Sequence, residues 1–83
     1  MPDIKMVYPY KPDWEPLQKV IGMSCKDYMF MGKVLLGVIW IYLYKHIITR
    51  RYLNLDGRGG AYFFENGKYH PTSIAEAITY AQS

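Results

Sequence analysis

The segment Tyr28–Thr49, YMFMGKVLLGVIWIYLYKHIIT, is the main apolar stretch of this 83-residue chain and decides its predicted fold. As an α-helix it would be about 33 Å long at a rise of 1.5 Å per residue. This length matches the hydrocarbon core of a bilayer, which is about 30 Å thick. Lys33 and Lys45 lie inside the segment, so that only Val34–Tyr44 is free of charge. The pattern therefore predicts one transmembrane helix of marginal length and an all-α membrane protein.

The size and composition of the chain limit how it can be stabilised. Eighty-three residues form at most one small domain, and small domains usually need a disulfide, a metal or a partner. The single cysteine, Cys25, excludes an internal disulfide. A membrane or a protein partner is therefore the expected source of stability. The net charge of +3 is spread too widely along the sequence to indicate nucleic-acid binding.

Lysine and aromatic side chains near the ends of the apolar segment are typical membrane-interface anchors. The Cα–Cβ bond of a helical residue tilts towards the N-terminus, so the Lys33 side chain can extend to the lipid headgroups. A role for Lys33 in an ion path is the alternative, because a charge inside a span is often functional. The other end carries an aromatic belt. The predicted anchors are Tyr28, Lys33, Trp40, Tyr42 and Tyr44.

A basic collar follows the aromatic belt. It consists of Lys45, His46, Arg50 and Arg51. Such a cluster can bind an anionic lipid headgroup such as that of cardiolipin, and the alternative is an ordinary positive flank without a bound lipid. Close to the segment, Lys45, Arg50 and Arg51 lie on the C-terminal side, whereas the N-terminal side has Lys26. This excess of positive charge favours the matrix or cytoplasm for the C-terminal side.

The remaining sequence divides into flanking segments. Residues 1–27 are predicted to be an N-terminal tail, extended over 1–12, with a short amphipathic helix over Asp13–Ile21. Ser24 and Asp27 resemble a capping box at the start of the span. The transmembrane helix would occupy 28–49 and continue over 50–56.

Residues 57–83 are predicted to be a C-terminal tail with local structure. Asn66-Gly67 is a strong tight-turn signal between two short strand-like runs, which predicts a hairpin. Ser73 and Glu76 form a second capping-box pattern. Ile74–Gln82 follows with a narrow apolar stripe at helical spacing, which predicts a short helix.

Signatures of enzymes and of metal sites are absent from the sequence. It has no phosphate-binding glycine loop, no HExxH motif and no nucleophile elbow. His46 would be a lone haem ligand without a second axial residue in the span. The sequence therefore predicts a non-catalytic protein without a cofactor.

The layout resembles the small single-span accessory subunits of mitochondrial respiratory complexes. Gly32-Lys33, Leu35, Val38 and Trp40 resemble the AGGG-type accessory subunit of plant complex I, although the tail AYFFENGKYHP is unlike that of the family. The resemblance implies a structural subunit of the mitochondrial inner membrane that supports assembly of NADH:ubiquinone oxidoreductase. Its expected partners are other subunits and phospholipid, with no nucleic acid. No functional residue is carried over from the family.

Two alternatives to this hypothesis remain open at the level of the sequence. The first is a small subunit of the ATP synthase membrane region or of cytochrome oxidase, which would share the location and the span. The second is a soluble interaction module in which the middle helix forms the core. The two differ in whether the apolar segment meets lipid or protein.

Overall fold

The computed structural model of the protein describes residues 4–7 and 11–83, and their main feature is one antiparallel β-sheet of six strands. The strands lie in sequence order, so each pairs with the next along the chain. The strands are β1 Ile4–Val7, β2 Tyr28–Leu36, β3 Ile39–His46, β4 Tyr52–Asp56, β5 Ala61–Glu65 and β6 Lys68–Thr72. The helices are α1 Glu15–Ile21, a 3₁₀ helix Gly22–Asp27, and α2 Ile74–Gln82.

The predicted transmembrane helix is wrong, because its residues form the β2–β3 hairpin. Leu36 pairs with Ile39 across the two-residue loop Gly37-Val38. Gly37 has a φ of 63°, which suits the first central position of a type II′ hairpin turn and is disfavoured for residues with a Cβ. The chain therefore reverses in the middle of its most apolar stretch.

The other predictions that depended on the span are corrected with it. The predicted helix extension over 50–56 is a turn followed by β4, and the predicted all-α membrane fold is a mostly β fold. In the part of the chain that the structure describes, no helix has the length and apolar composition needed to cross a bilayer. This finding contradicts the predicted single-pass location in the mitochondrial inner membrane.

The composition of β2 and β3 explains both the strands and the wrong prediction. The run Val34–Tyr44 is rich in β-branched and aromatic residues, which favour strands. Both faces of this hairpin carry buried side chains, so the apolar residues do not alternate with polar ones. A continuous apolar run of this kind has no period that separates a strand from a buried helix.

One face of the sheet, here called the helix face, packs against both helices. Tyr44 lies at its centre, fully buried and stacked on Trp14 with 5.8 Å between the ring centroids. The Tyr44 hydroxyl donates a hydrogen bond of 2.5 Å to the Asp13 carbonyl oxygen, which fixes the start of α1 on the sheet. The buried residues of this core are Leu17, Tyr28, Phe30, Tyr44, Leu53, Leu55, Ala61, Ala77 and Ala81.

Several local predictions outside the apolar segment are confirmed. The short helix predicted over 13–21 begins at Glu15, with Asp13 Oδ1 accepting from the Glu15 amide. The hairpin at Asn66-Gly67 joins β5 to β6, and both turn residues have positive φ. Ser73 caps α2 by accepting from the Glu76 amide.

Two further predictions concern the N-terminal region. The predicted capping box at Ser24 is wrong as a helix start, since the 3₁₀ helix Gly22–Asp27 leads directly into β2. The extended conformation predicted for 1–12 is confirmed over Ile4–Val7, which forms the edge strand β1. The predictions for residues 1–3 and 8–10 lie outside the described residues.

The opposite face of the sheet, here called the open face, has a second apolar cluster made only of strand residues. Val34, Ile41 and Leu43 are buried there beneath side chains from the same sheet. Two residues, Met31 and Gly32, lie where the β2–β3 register shifts between Phe30 and Gly32, and such a bulge increases local bending and twist. The residues that pack on this cluster come from the strands, and among the described residues no helix covers the open face.

Asp56 organises the turn between β4 and β5. Its Oδ1 accepts from the amides of Arg58 at 2.8 Å and Gly60 at 2.7 Å, while Oδ2 accepts from the Tyr62 hydroxyl at 2.7 Å. Burial alone would raise the pKa of the Asp56 carboxyl, but these hydrogen bonds and the Arg58 charge lower it below the ordinary value. The same contact raises the pKa of Tyr62 to about 12. The ionised carboxylate therefore holds the turn closed.

Gly60→Ala should destabilise the protein, because its Cβ would collide with the Asp56 carboxylate. We expect a loss of about 1–3 kcal/mol in the free energy of unfolding, as for other overpacked sites. Gly57→Ala is the matched control in the same turn, since a Cβ there meets nothing within 4 Å. Urea denaturation of both variants measures the difference, and equal stabilities would contradict the proposed role of Gly60.

Asp56→Asn should make the stability of the protein less dependent on acidic pH. The folded-state pKa of Asp56 is lowered, so its contribution is present above the unfolded pKa and is lost as pH falls through the folded one. We expect the wild type to exceed the variant by about 1–3 kcal/mol at pH 7. The difference should shrink as the pH falls below the ordinary aspartate value. A difference that is constant with pH, in urea titrations, would contradict this role of the charge.

Candidate functional site: an aromatic–arginine cleft

A cleft of about 380 Å³ lies where β4 and β5 separate. Its volume is within the lower part of the range of small-molecule sites. Most of its lining belongs to the open face, and the rest comes from the turn before β4, from α2 and from Phe63 on the helix face of β5. The residues that line this aromatic–arginine cleft are Leu43, Arg50, Arg51, Tyr52, Asn54, Phe63, Phe64, Tyr69 and Tyr80.

The cleft exists because the pairing of β4 with β5 is short. These strands pair only at Asn54 with Tyr62 and at Leu55 with Ala61, whereas β5 and β6 pair over their whole length. Beyond Asn54 the two strands diverge, and the side chains of Tyr52 and Phe64 face the gap. On the outer sides of the gap, hydrogen bonds hold β4 to β3 and β5 to β6.

The turn that carries both arginines is fixed to the end of α2. The His46 amide donates to the Arg51 carbonyl and the Arg50 amide donates to the His46 carbonyl, each at 2.9 Å. The Thr49 hydroxyl donates to the Ala81 carbonyl at 2.5 Å. Arg50 has a φ of 66°, a left-handed conformation that closes the turn. These contacts hold the arginines at the rim of the cleft.

The electrostatic character of the cleft is positive. The Arg51 guanidinium lies 4.7 Å from the centroid of the Tyr80 ring, a cation–π contact. No carboxylate is among the lining residues in the described part of the chain. Burial raises the pKa of the Tyr69 hydroxyl, so this phenol is neutral at physiological pH. The lining of the cleft therefore combines two arginines with neutral aromatic rings.

Asn54 places an unpaired hydrogen-bond acceptor in the wall of the cleft. Its side chain is only 4% exposed, and its Nδ2 donates to the Tyr62 carbonyl at 3.2 Å. Its Oδ1 is buried and has no hydrogen-bond partner. Leaving such an acceptor unsatisfied costs about 1–3 kcal/mol. Because Oδ1 is itself buried, a ligand in the cleft could donate to it only after the Asn54 side chain turned toward the cleft.

The four residues of the predicted basic collar separate on the fold. Arg50 and Arg51 lie at the cleft, while Lys45 lies on the open face with Nζ 5.8 Å from the Tyr52 ring centroid. His46 lies on the helix face, where its ring meets Tyr28 edge-on at 4.9 Å. Its Nδ1 accepts from two amides of the turn. Three of the four therefore stay close to one binding surface, and His46 has a structural role.

The predicted membrane-interface anchors have other positions. Tyr28 and Tyr44 are buried in the core of the helix face. Lys33 lies against Trp40 and Tyr42, with Nζ 4.3 Å and 5.8 Å from the ring centroids. This second group pairs a lysine with aromatic rings across β2 and β3, and it is separate from the aromatic–arginine cleft.

Sequence reasoning missed the aromatic and amide residues of the cleft. Tyr52 and Asn54 fall in the segment predicted as a helix extension, and Phe64 and Tyr69 fall in the predicted hairpin. The hairpin alone would have placed Phe64 opposite Tyr69, as observed, with 4.7 Å between ring centroids. Nothing local connects this aromatic pair to Arg50, because their proximity depends on the pairing of β4 with β5.

The described residues contain no evident centre for covalent or metal chemistry. No three His, Cys, Asp or Glu side chains among them come together as metal ligands. The Cys25 thiol donates to the Gly22 carbonyl oxygen, and burial raises its pKa. A raised pKa keeps a thiol protonated and weakly nucleophilic.

Comparison of the chain with known protein families, with curated proteins and with solved structures finds no match. The functional conclusion therefore depends on the chemistry of the cleft.

Proposed function

We propose that this protein is a non-catalytic binding module. Its aromatic–arginine cleft takes a ligand that combines a flat apolar group with a negative charge. The observation that carries this proposal is the composition of the cleft, in which five aromatic rings and two arginines line one cavity without a carboxylate. Aromatic rings bind flat groups by stacking, and guanidinium groups bind carboxylates or phosphates with paired hydrogen bonds.

The exposure of two side chains supports a role in binding. Phe64 is 56% exposed and Tyr80 is 42% exposed, although both have large apolar rings. Packing within the domain accounts for only part of each ring, through contacts with Tyr69 and Phe63. Both side chains line the cleft, where a ligand would remove part of each ring from water.

The perturbed titratable groups support a binding role over a catalytic one. Tyr44, Tyr62 and Cys25 have raised pKa values and stay protonated. The Asp56 carboxylate is occupied by three hydrogen bonds within its own turn. A catalytic base or nucleophile needs a pKa suited to proton transfer and access to a substrate, and these groups are held by the fold instead.

The interaction-module alternative from the sequence agrees best with this geometry. The assignment to a respiratory complex stays a prediction that the comparisons do not test. That assignment depended on a transmembrane span in the apolar segment, and this segment forms the β2–β3 hairpin. The cleft by itself favours an anionic ligand and not a particular assembly.

The proposal predicts that a flat anion binds at the cleft more tightly than its neutral counterpart. We expect naphthalene-1-sulfonate to shift the amide resonances of Arg50–Asn54 and Phe63–Phe64 in an NMR titration of the full chain. Arg50→Asn combined with Arg51→Gln should weaken its binding about 10-fold, as expected for loss of a charge-assisted hydrogen bond. Asparagine at position 50 tolerates the left-handed backbone found there.

The controls separate charge from packing. Arg58→Gln removes an exposed arginine from the turn after β4, outside the cleft, and should leave sulfonate binding unchanged. The neutral 1-naphthalenemethanol should bind the double variant and the wild type equally. Shifts located elsewhere, or sulfonate binding that the double variant retains in full, would refute the proposed site.

A further inference from the structure

We infer that the ligand of the cleft is a segment of single-stranded nucleic acid, with one base held in the aromatic–arginine cleft and its phosphates on the neighbouring basic residues. This inference rests on the proposed binding function and specifies its ligand class. Three features of the structure carry it, namely an aromatic sheet face, a short basic track and the unpaired acceptor of Asn54.

The open face provides an aromatic platform on three consecutive strands. Tyr52 on β4, Tyr62 and Phe64 on β5, and Tyr69 on β6 share this face, because directly paired residues of antiparallel strands point to the same side. Uncovered sheet faces with aromatic residues can stack the unpaired bases of single strands. No helix covers this face in the described part of the chain.

The basic residues extend from the cleft along the end of the sheet. Arg50 and Arg51 lie at its rim, and Lys45 continues the positive charge on the open face beside Tyr52. In the described part of the chain, the one salt bridge lies elsewhere, between Lys19 and Glu15. None of the three cations is paired with a carboxylate among the described residues, and Arg51 also donates to the Tyr80 carbonyl at 3.5 Å. These three cations are already close together in the sequence, and folding adds the aromatic rings beside them.

The Asn54 side chain, once turned toward the cleft, would favour a base over a simple anion. Its unpaired Oδ1 needs a donor, whereas ionised carboxylates and phosphodiesters only accept hydrogen bonds. Every nucleobase that pairs carries N–H donors on its edge, next to a flat ring that can stack. One base could thus stack on the aromatic walls and donate to the Asn54 amide oxygen after that side chain turned toward it.

The size of the cleft favours single strands over a duplex. About 380 Å³ is enough for one flat ring system and not for a double helix. The base edges and faces of a duplex are occupied by pairing and stacking, so a base would have to leave the helix before it could enter.

Fluorescence anisotropy with labelled decamers of deoxythymidine and of uridine tests this inference on the full chain. We expect binding of at least one decamer with a salt dependence of log K on log[salt] of about −2, which corresponds to three phosphate contacts with a single strand. Lys45→Gln and Arg51→Gln should each make this slope shallower by about 0.7. Arg58→Gln is the matched control and should leave the slope unchanged.

Two variants test the base contacts separately from charge. Phe64→Leu keeps a strand-compatible apolar side chain and should weaken decamer binding about 5- to 150-fold, the usual range for loss of one stacked base. Asn54→Leu removes the unpaired acceptor. It should weaken binding of the decamer without changing the slope of log K on log[salt]. Thermal unfolding of each variant verifies that it folds. A folded Asn54→Leu variant with wild-type affinity would refute the role of the amide.

The outcomes distinguish this inference from the proposed function. Binding of naphthalene-1-sulfonate without binding of either decamer would overturn the nucleic-acid assignment alone, whereas failure of both would overturn the binding site itself. Equal affinity for a decamer and its duplex, or for a decamer and thymidine or uridine monophosphate, would also overturn the inference. The same holds if an acidic, tryptophan-containing peptide or vesicles of anionic phospholipid bind while the decamers do not.

Discussion

The two-residue turn at Gly37-Val38 is the constraint on which the rest of the structure depends. It folds the most apolar run of the chain back on itself, so β2 and β3 form the central hairpin of the sheet. Side chains on both faces of this hairpin are buried, with Tyr44 on one side and Ile41 on the other. The helices cover the first face, and side chains of the strands themselves shield the cluster on the second.

The cleft follows from how the sheet continues beyond this hairpin. Asp56 fixes a tight turn after β4, and the Asn66-Gly67 turn fixes β5 to β6. Between these two constraints, β4 and β5 pair over two residues and then separate. The last turn of α2 meets the β3–β4 turn through Thr49 and Arg51. Positive and aromatic side chains from distant parts of the chain therefore meet around one gap.

The features that the sequence predicted correctly are those whose cause is local. The Ser73 cap, the Asn66-Gly67 turn and the short helix before Gly22 each depend on residues within a few positions of one another. The fold class was wrong because its decisive segment is apolar at nearly every position. A strand buried on both faces loses the alternation that identifies strands, and Gly37 alone marked the reversal. Of the candidate site, the basic residues Arg50 and Arg51 were identified, but with a lipid as the expected ligand.

The sequence by itself determined the local elements of the C-terminal half and the position of the basic cluster. It also determined that the middle of the chain must be buried. The tertiary structure decided what buries that segment, because only strand pairing shows that the run shields itself as a hairpin. Pairing likewise decided the site, since Arg50, Asn54, Phe64 and Tyr80 come together through contacts between strands and a helix. Such contacts join residues far apart in sequence and leave no periodic signal within any one segment.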